Sequence, residues 1–384
     1  APVGGDTVYW TVLTTDEQGR AAVTLTAPGS SGNCYLSAQS IDFRDNVLRS
    51  GSLVKRLAIA NGAETETPDQ EEPPAETFSY RSGFLRPGGE LSLDNGSLLI
   101  ITTPERREIL ELLAAAACAP GDGAEQAMSA AHARQLLMDY GGDALRAVFG
   151  KADQDCGVYQ KADGGVGELK GYSDPLLSAE AAALAPGGLA WHALRDYQTG
   201  LLESASADPL SQALALAGLA ASGRPVLNEV KQLLSAADPE QAGYWWLMWA
   251  LYQCGDRQTA LALYQQNRTI TAKAGTETPR ALVAAACGDR SLALALLAQE
   301  RQAAAAGKVL AARLLLNKTV QPESRFSYRL DGVEHSGSLN SISDHLLSLN
   351  GDNQRLVLAE AEEQLCYVEI FIEKPQLAAV SGPQ

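Results

Sequence analysis

At 384 residues the chain is longer than one hydrophobic core usually covers, so two or more domains are expected. Its 46% hydrophobic content with only 6% aromatics excludes a disordered chain and describes a globular one rich in alanine and leucine. A formal net charge of −16 argues against nucleic acid as a partner and disfavours docking on an anionic membrane surface, since no Lys/Arg stripe offsets the carboxylates.

The chain opens Ala1-Pro2-Val3-Gly4-Gly5, with neither an initiator Met nor the basic and apolar regions of a signal peptide, and is expected to be a fragment. Residues 8–13 form a strand candidate, and residues 21–27 alternate, with Val23 and Leu25 on one face and Thr24 and Thr26 on the other. A turn at 28–33 leads to a further strand at 34–38, a spacing that indicates part of an antiparallel sandwich. Residues 64–76 are charged and proline-bearing, with no apolar side chain larger than alanine, which predicts an exposed linker. A second short β region follows to residue 101. Arg86-Pro87-Gly88-Gly89 is its turn, and 91–93 and 98–101 are its strands.

From about Thr103 to Leu316 alanine and leucine dominate, and Thr103 before Pro104 suits a helix start with Thr103 as N-cap. This helical block repeats internally. Cys254-Gly255-Asp256-Arg257 and Cys287-Gly288-Asp289-Arg290 each separate two helical stretches, and Ser222-Gly223-Arg224-Pro225 is a weaker copy. Glycine after the first helix of each copy supplies the left-handed residue that closes it. Helix pairs at this period make either an open solenoid or a closed α/α toroid, and the period alone leaves both open. After residue 317 the pattern reverts to strands at 326–330, 355–358 and 366–372, with Asp331-Gly332 as a hairpin turn. A β region on each side of a helical block suggests insertion of the block into one β domain.

Six cysteines lack any C-x-x-C pair and four histidines (His132, His192, His335, His345) lack metal-ligand spacing, so no metal site is expected. No stretch approaches the ~20 uninterrupted apolar residues of a membrane span. Neither a G-x-S-x-G elbow nor a Walker-type loop occurs, and Asp163-Gly164-Gly165-Val166-Gly167 follows no strand, so it is not a phosphate loop. Trp245 and Trp249 are spaced to share one helix face, which favours core over a ligand grip.

Pro120-Gly121-Asp122-Gly123-Ala124-Glu125-Gln126 resembles the thioester motif of the alpha-2-macroglobulin and complement family, especially its bacterial members, which read P-Y-G-C-[GA]-E-Q. Pro120, Ala124, Glu125 and Gln126 match; Gly121, Asp122 and Gly123 depart from it. Asp163-Gly164-Gly165-Val166-Gly167 with Ser173-Asp174-Pro175-Leu176-Leu177-Ser178-Ala179 is similar to the family's D-G-G-F-G … S-D-P-W-L-T-A. Residues 212–218 are similar to a later toroid helix, and Thr15-Asp16 to Pro28, with Asp42, to a macroglobulin domain.

The resemblance implies a multidomain α + β chain: a macroglobulin-like β-sandwich (1–63), an acidic linker (64–77), a CUB-like β domain in two parts (78–101 and 318–376), an inserted α/α-toroid thioester-like domain (102–317) and a tail (377–384). It implies a protease-entrapping inhibitor of the bacterial envelope, periplasmic or at the cell surface, not an enzyme, with proteases as partners and no cofactor. Any membrane anchor of the whole protein would lie outside this chain. In the family a Cys and a Gln three residues apart, on one helix face, condense to an activated acyl group. Here Gly123 occupies the sulfur's position, so Gly123, Glu125 and Gln126 are thioester-equivalent but inactive. Glu125 is then expected to favour the helix dipole and Gln126 to satisfy a backbone group.

Two rivals remain. One is a TPR-like helical scaffold that binds a peptide on its concave face. The other is a toroid enzyme, which would need a central acidic constellation; Asp153 and Asp155 are its only local candidates and read as a solvated loop.

Overall fold

The structure, a computed structural model, describes residues 32–44, 47–59 and, with short interruptions, 77–373. The strands expected at 8–13 and 21–27, the linker at 64–76, residues 120–122 and Asp153 lie outside the described residues. The chain divides into two units, Ala1–Pro73 and Pro74–Gln384. In the first, β1 (Gly32–Arg44) and β2 (Val47–Ile59) pair antiparallel from Gly32↔Ile59 to Arg44↔Val47. β1 contains the strand expected at 34–38.

The second unit opens with β3 (Thr77–Leu85), β4 (Glu90–Leu93) and β5 (Leu98–Thr102). Pro87-Gly88 turns the chain between the first two: Gly89 N donates to Arg86 O at 2.8 Å, and Gly88 has a φ of +73° that glycine adopts freely. The helices follow, then β6 (Ser324–Leu330), β7 (Val333–Leu339), β8 (His345–Ser348), β9 (Gln354–Ala361) and β10 (Leu365–Glu373). Asp331 and Gly332, at φ +52° and +82°, make the tight β6–β7 turn that the sequence predicts. Two four-stranded antiparallel sheets result, ordered β3-β10-β5-β8 and β4-β9-β6-β7. Both join strands from before and after the helices; β10 lies between β3 and β5, with Leu365↔Leu85 and Cys366↔Thr102 in register.

The helices are α1 (Pro104–Cys118), α2 (Ala124–Gly141), α3 (Pro175–Leu184), α4 (Trp191–Glu203), α5 (Pro209–Ala221) and α6 (Leu227–Ala236). They continue with α7 (Ala242–Gln253), α8 (Arg257–Asn267), α9 (Glu277–Cys287), α10 (Arg290–Leu297) and α11 (Ala306–Leu316). Thr103 sits at the α1 N-cap, but its hydroxyl does not cap. It is buried and donates instead to Gln321 Oε1 at 3.3 Å, tying the start of the helical block to its end. Elsewhere aspartate caps: Asp174 and Asp208, each before a proline, and Asp256 and Asp289 after the left-handed Gly255 and Gly288.

Burial sorts the helices into two layers. α7 is buried continuously from Tyr244 to Leu251 and α5 from Ala213 to Ala220, whereas α4 buries only Leu194 and Gln198, and α6 only Val230 and Leu234. A helix apolar all round belongs inside, and one with a single stripe covers it. The inner succession α2, α3, α5, α7, α9, α11 packs neighbour against neighbour, and α11 also packs against α2.

Strand β5 serves two cores at once. Leu98 and Ile100 face the helices together with Phe78, Val368 and Ile370. Leu99 and Ile101 face the second sheet, packing with Leu85, Phe326, Leu356 and Leu358. Such a continuous apolar run marks a strand buried on both faces.

Candidate functional site

Residues 123–126 lie where α2 begins. Gly123 is the N-cap, at φ −105° and ψ 165°, an extended conformation open to any residue. A Cβ built there would stand 3.1 Å and 3.4 Å from the carboxylate oxygens of Glu168, so a side chain at 123 would press on that carboxylate. Both oxygens accept from Ala124 N, at 3.2 Å and 3.1 Å. Glu168 therefore supplies the capping oxygen that glycine lacks, and its charge suits the positive end of the helix.

Glu125 stands in the first turn of α2, where its charge suits the helix dipole. Its Oε1 also accepts from Ala306 N at 2.9 Å, so the carboxylate reaches the first turn of α11 as well. Gln126 is half-buried on the same first turn of α2. The structure thus sets Gly123, Glu125 and Gln126 on one helix start and brings Glu168, which no sequence spacing singled out, to Gly123 and Ala124.

Three glycines fold the segment that presents Glu168. Lys161 N donates to Gly165 O and Gly167 N to Tyr159 O, forming a tight hairpin around the Gln160↔Val166 bridge. A Cβ on Gly164 would stand 2.2 Å from Ala193 O, one on Gly165 2.5 Å from Ser173, and one on Gly167 2.2 Å from Tyr172 O. Close backbone approach explains Asp163-Gly164-Gly165-Val166-Gly167, and no phosphate need be invoked. Asp163 Oδ1 accepts from Gly165 N and Ser173 Oγ. Asp174 caps α3 while its own N–H donates to Val166 O. Lys161 Nζ donates to the carbonyls of Glu168 and Leu169, fixing the backbone beneath the carboxylate.

Further along the α2–α11 contact, Arg313 Nη1 lies 3.2 Å from His132 Nε2 and 3.4 Å from Ala183 O. The guanidinium can only donate, so Nε2 accepts and the ring is neutral. Burial first and the Arg313 charge second hold His132 down to about 4.

The other candidates resolve into structure. Trp245 and Trp249 are fully buried, and Trp245 Nε1 donates to Pro239 O at 2.9 Å. Asp155 accepts from Gly157 N to cap the short 3-10 turn Cys156–Tyr159. Among the described residues no group of His, Cys, Asp or Glu could hold a metal ion, and no helix is long and apolar enough to cross a membrane. Burial pushes the Cys156, Cys287 and Cys366 thiols up to about 11, away from the nucleophilic form.

No family model matches the chain, and no curated protein does. Among solved structures, Escherichia coli alpha-2-macroglobulin in its native conformation matches over 92% of this chain and 26% of its own, at 13% identity and a TM-score of 0.47. A point mutant of Salmonella alpha-2-macroglobulin matches over 92% of this chain and 29% of its own, at 13% identity and a TM-score of 0.49. The Escherichia coli protein activated by porcine elastase matches over 89% of this chain and 35% of its own, at 15% identity and a TM-score of 0.35. The chain therefore spans from about a quarter to about a third of the length of these structures. They are bacterial alpha-2-macroglobulins.

Proposed function

We propose that the chain is part of an alpha-2-macroglobulin-like protein without a working thioester. The whole protein would trap proteases by conformational change rather than by covalent capture, in the bacterial periplasm or at the cell surface. The observation that carries this reading is Gly123: it stands at the start of α2, three residues before Gln126, where the motif would place a thiol, and the Glu168 carboxylate lies against that position. Without sulfur there is no acyl group to transfer. On the same reading 102–317 is an α/α toroid, supported by the packing of α11 on α2. The CUB-like parts 78–101 and 318–376 make one domain, supported by the strand pairs that join them. Residues 1–63 are a macroglobulin-like sandwich and 64–77 its linker. An open TPR-like scaffold would leave the first and last inner helices apart, so the same packing counts against it.

Intact protein incubated with methylamine should keep its mass and expose no new thiol. Incorporation of methylamine would overturn the proposal. The full-length protein, once cleaved by a protease, should restrict that protease's action on large substrates while sparing small ones. Unchanged activity on large substrates would remove entrapment as its function.

A further inference from the structure

We propose that Glu168 occupies the electrostatic place of the absent thiol, and that its charge would hold a cysteine restored at position 123 in the unreactive, protonated form. Acyl transfer to such a cysteine rests on reading residues 120–126 as a thioester-motif remnant; the control of its charge by Glu168 does not.

The start of a helix favours negative charge and ordinarily activates a cysteine by lowering its pKa. At α2 that position is already filled, since both Glu168 oxygens accept from Ala124 N. A side chain at 123 would begin 3.1 Å from one of them. A thiolate there would face a carboxylate at contact range and be disfavoured, as one like charge disfavours another. The backbone beneath Glu168 is held: Lys161 Nζ donates to its carbonyl and that of Leu169, and the backbone of Gly167 is packed against Tyr172 O. The Glu168 side chain itself is exposed, with the Lys161 ammonium as the charge beside it. The backbone itself is no obstacle, because the φ and ψ of Gly123 suit any residue.

Closing a thioester would require the thiolate to attack the carboxamide carbon of Gln126. An S–C bond forms, the C–N bond breaks, and the amide nitrogen leaves as ammonia with the proton the thiol gave up. No oxidant or reductant enters. Glu168 opposes the first requirement, the thiolate, and is therefore a positioning residue whose effect here is inhibitory.

The test compares Gly123→Cys with Gly123→Cys/Glu168→Gln and Gly123→Cys/Glu168→Ala, using Glu168→Gln alone as the folding control. The pH dependence of alkylation of the introduced thiol, followed on its own peptide by mass spectrometry, gives its pKa. Removing the Glu168 charge should lower that pKa by about one to two units. Equal values in the single and double variants would overturn the proposal, as would loss of ammonia from the single variant. Loss of ammonia with methylamine reactivity in the double variants alone would support both the control by Glu168 and the thioester reading. A lowered pKa with no ammonia lost from any variant would leave the control by Glu168 standing and reject Gln126 as an acyl donor.

Discussion

Glu125 and His132 lie two turns apart on α2, and each reaches a residue of α11, Ala306 and Arg313. The matching order of the pairs means that the two helices run parallel along this contact. Glu125 serves a free N–H at a helix start that no local side chain caps, since Ala305 stands at the α11 N-cap. Glu125→Ala should therefore cost about 1 kcal/mol, the usual worth of a helix cap, while Glu125→Gln, which keeps an acceptor, should cost less. Urea midpoints of the two variants check this, and equal losses would count against the capping role. For His132 the sign follows from its depressed pKa. The folded value of about 4 lies below the ordinary 6.5, so the neutral ring's contribution is complete above about pH 6.5 and is lost as the pH falls towards 4. At about 1.4 kcal/mol per unit, reduced by solvent at a partly exposed ring, acid should remove at most roughly 3 kcal/mol through this group. His132→Gln retains an acceptor for Arg313 without a proton to gain, so its stability should fall less steeply between pH 6.5 and 4 than the parent's. Parallel slopes would reject His132 as an acid-sensitive group.

Between elements, a polar network lies where helices meet sheets. Asp344, just before β8, accepts from Arg106 at 3.2 Å, Thr102 Oγ1 at 2.7 Å, Gln321 Nε2 at 2.9 Å and the Tyr140 hydroxyl. Arg106 also donates to Thr319 O and the Tyr140 oxygen, so the start of α1, the end of α2 and the chain after α11 share one ion pair. Burial pushes the Asp344 carboxyl up even with Arg106 beside it. Removing one partner leaves the other charge stranded, and Asp344→Ala should cost about 3–5 kcal/mol in thermal or urea unfolding. A loss below about 1 kcal/mol would show that the ion pair does not hold these elements together. Much of the element pattern was legible. Gly255-Asp256 and Gly288-Asp289 announce a left-handed stop and an aspartate start, and Arg86-Pro87-Gly88-Gly89 and Asp331-Gly332 announce turns, because these signals act within a few residues. The site was legible only in part. Gly123, Glu125 and Gln126 could be found from motif spacing, but Glu168 comes from a separate hairpin and Glu125's partner from the other end of the helical block. Thr103 looked like a cap because its neighbours fit one; only tertiary contact with Gln321 shows where its hydroxyl goes.

Across residues 77–373 the helical block and the sheets share β5 and β10, and this sharing decides which part can stand alone. Thr103 and Gln321 meet at the two ends of the helical block, so its connections to the sheets lie side by side and could be cut together. The block would keep nearly all of its own core, including Trp245, Trp249 and the buried lengths of α5, α7 and α9. The sheets would keep the core between them but expose Phe78, Leu98, Ile100, Val368 and Ile370 on one contiguous face. Exposed apolar patches of that kind drive association. Residues 104–319 expressed alone should therefore give a helical circular dichroism spectrum and one cooperative urea transition, at lower denaturant than in the parent chain. Residues 77–102 joined by a short linker to 321–373 should bind a hydrophobic dye and self-associate, and replacing Leu98, Ile100 and Val368 with threonine should suppress both. A monomeric, dye-silent β fragment carrying the native apolar residues would mean that the helices are appended to an independent sandwich, and that β5 does not couple the two cores.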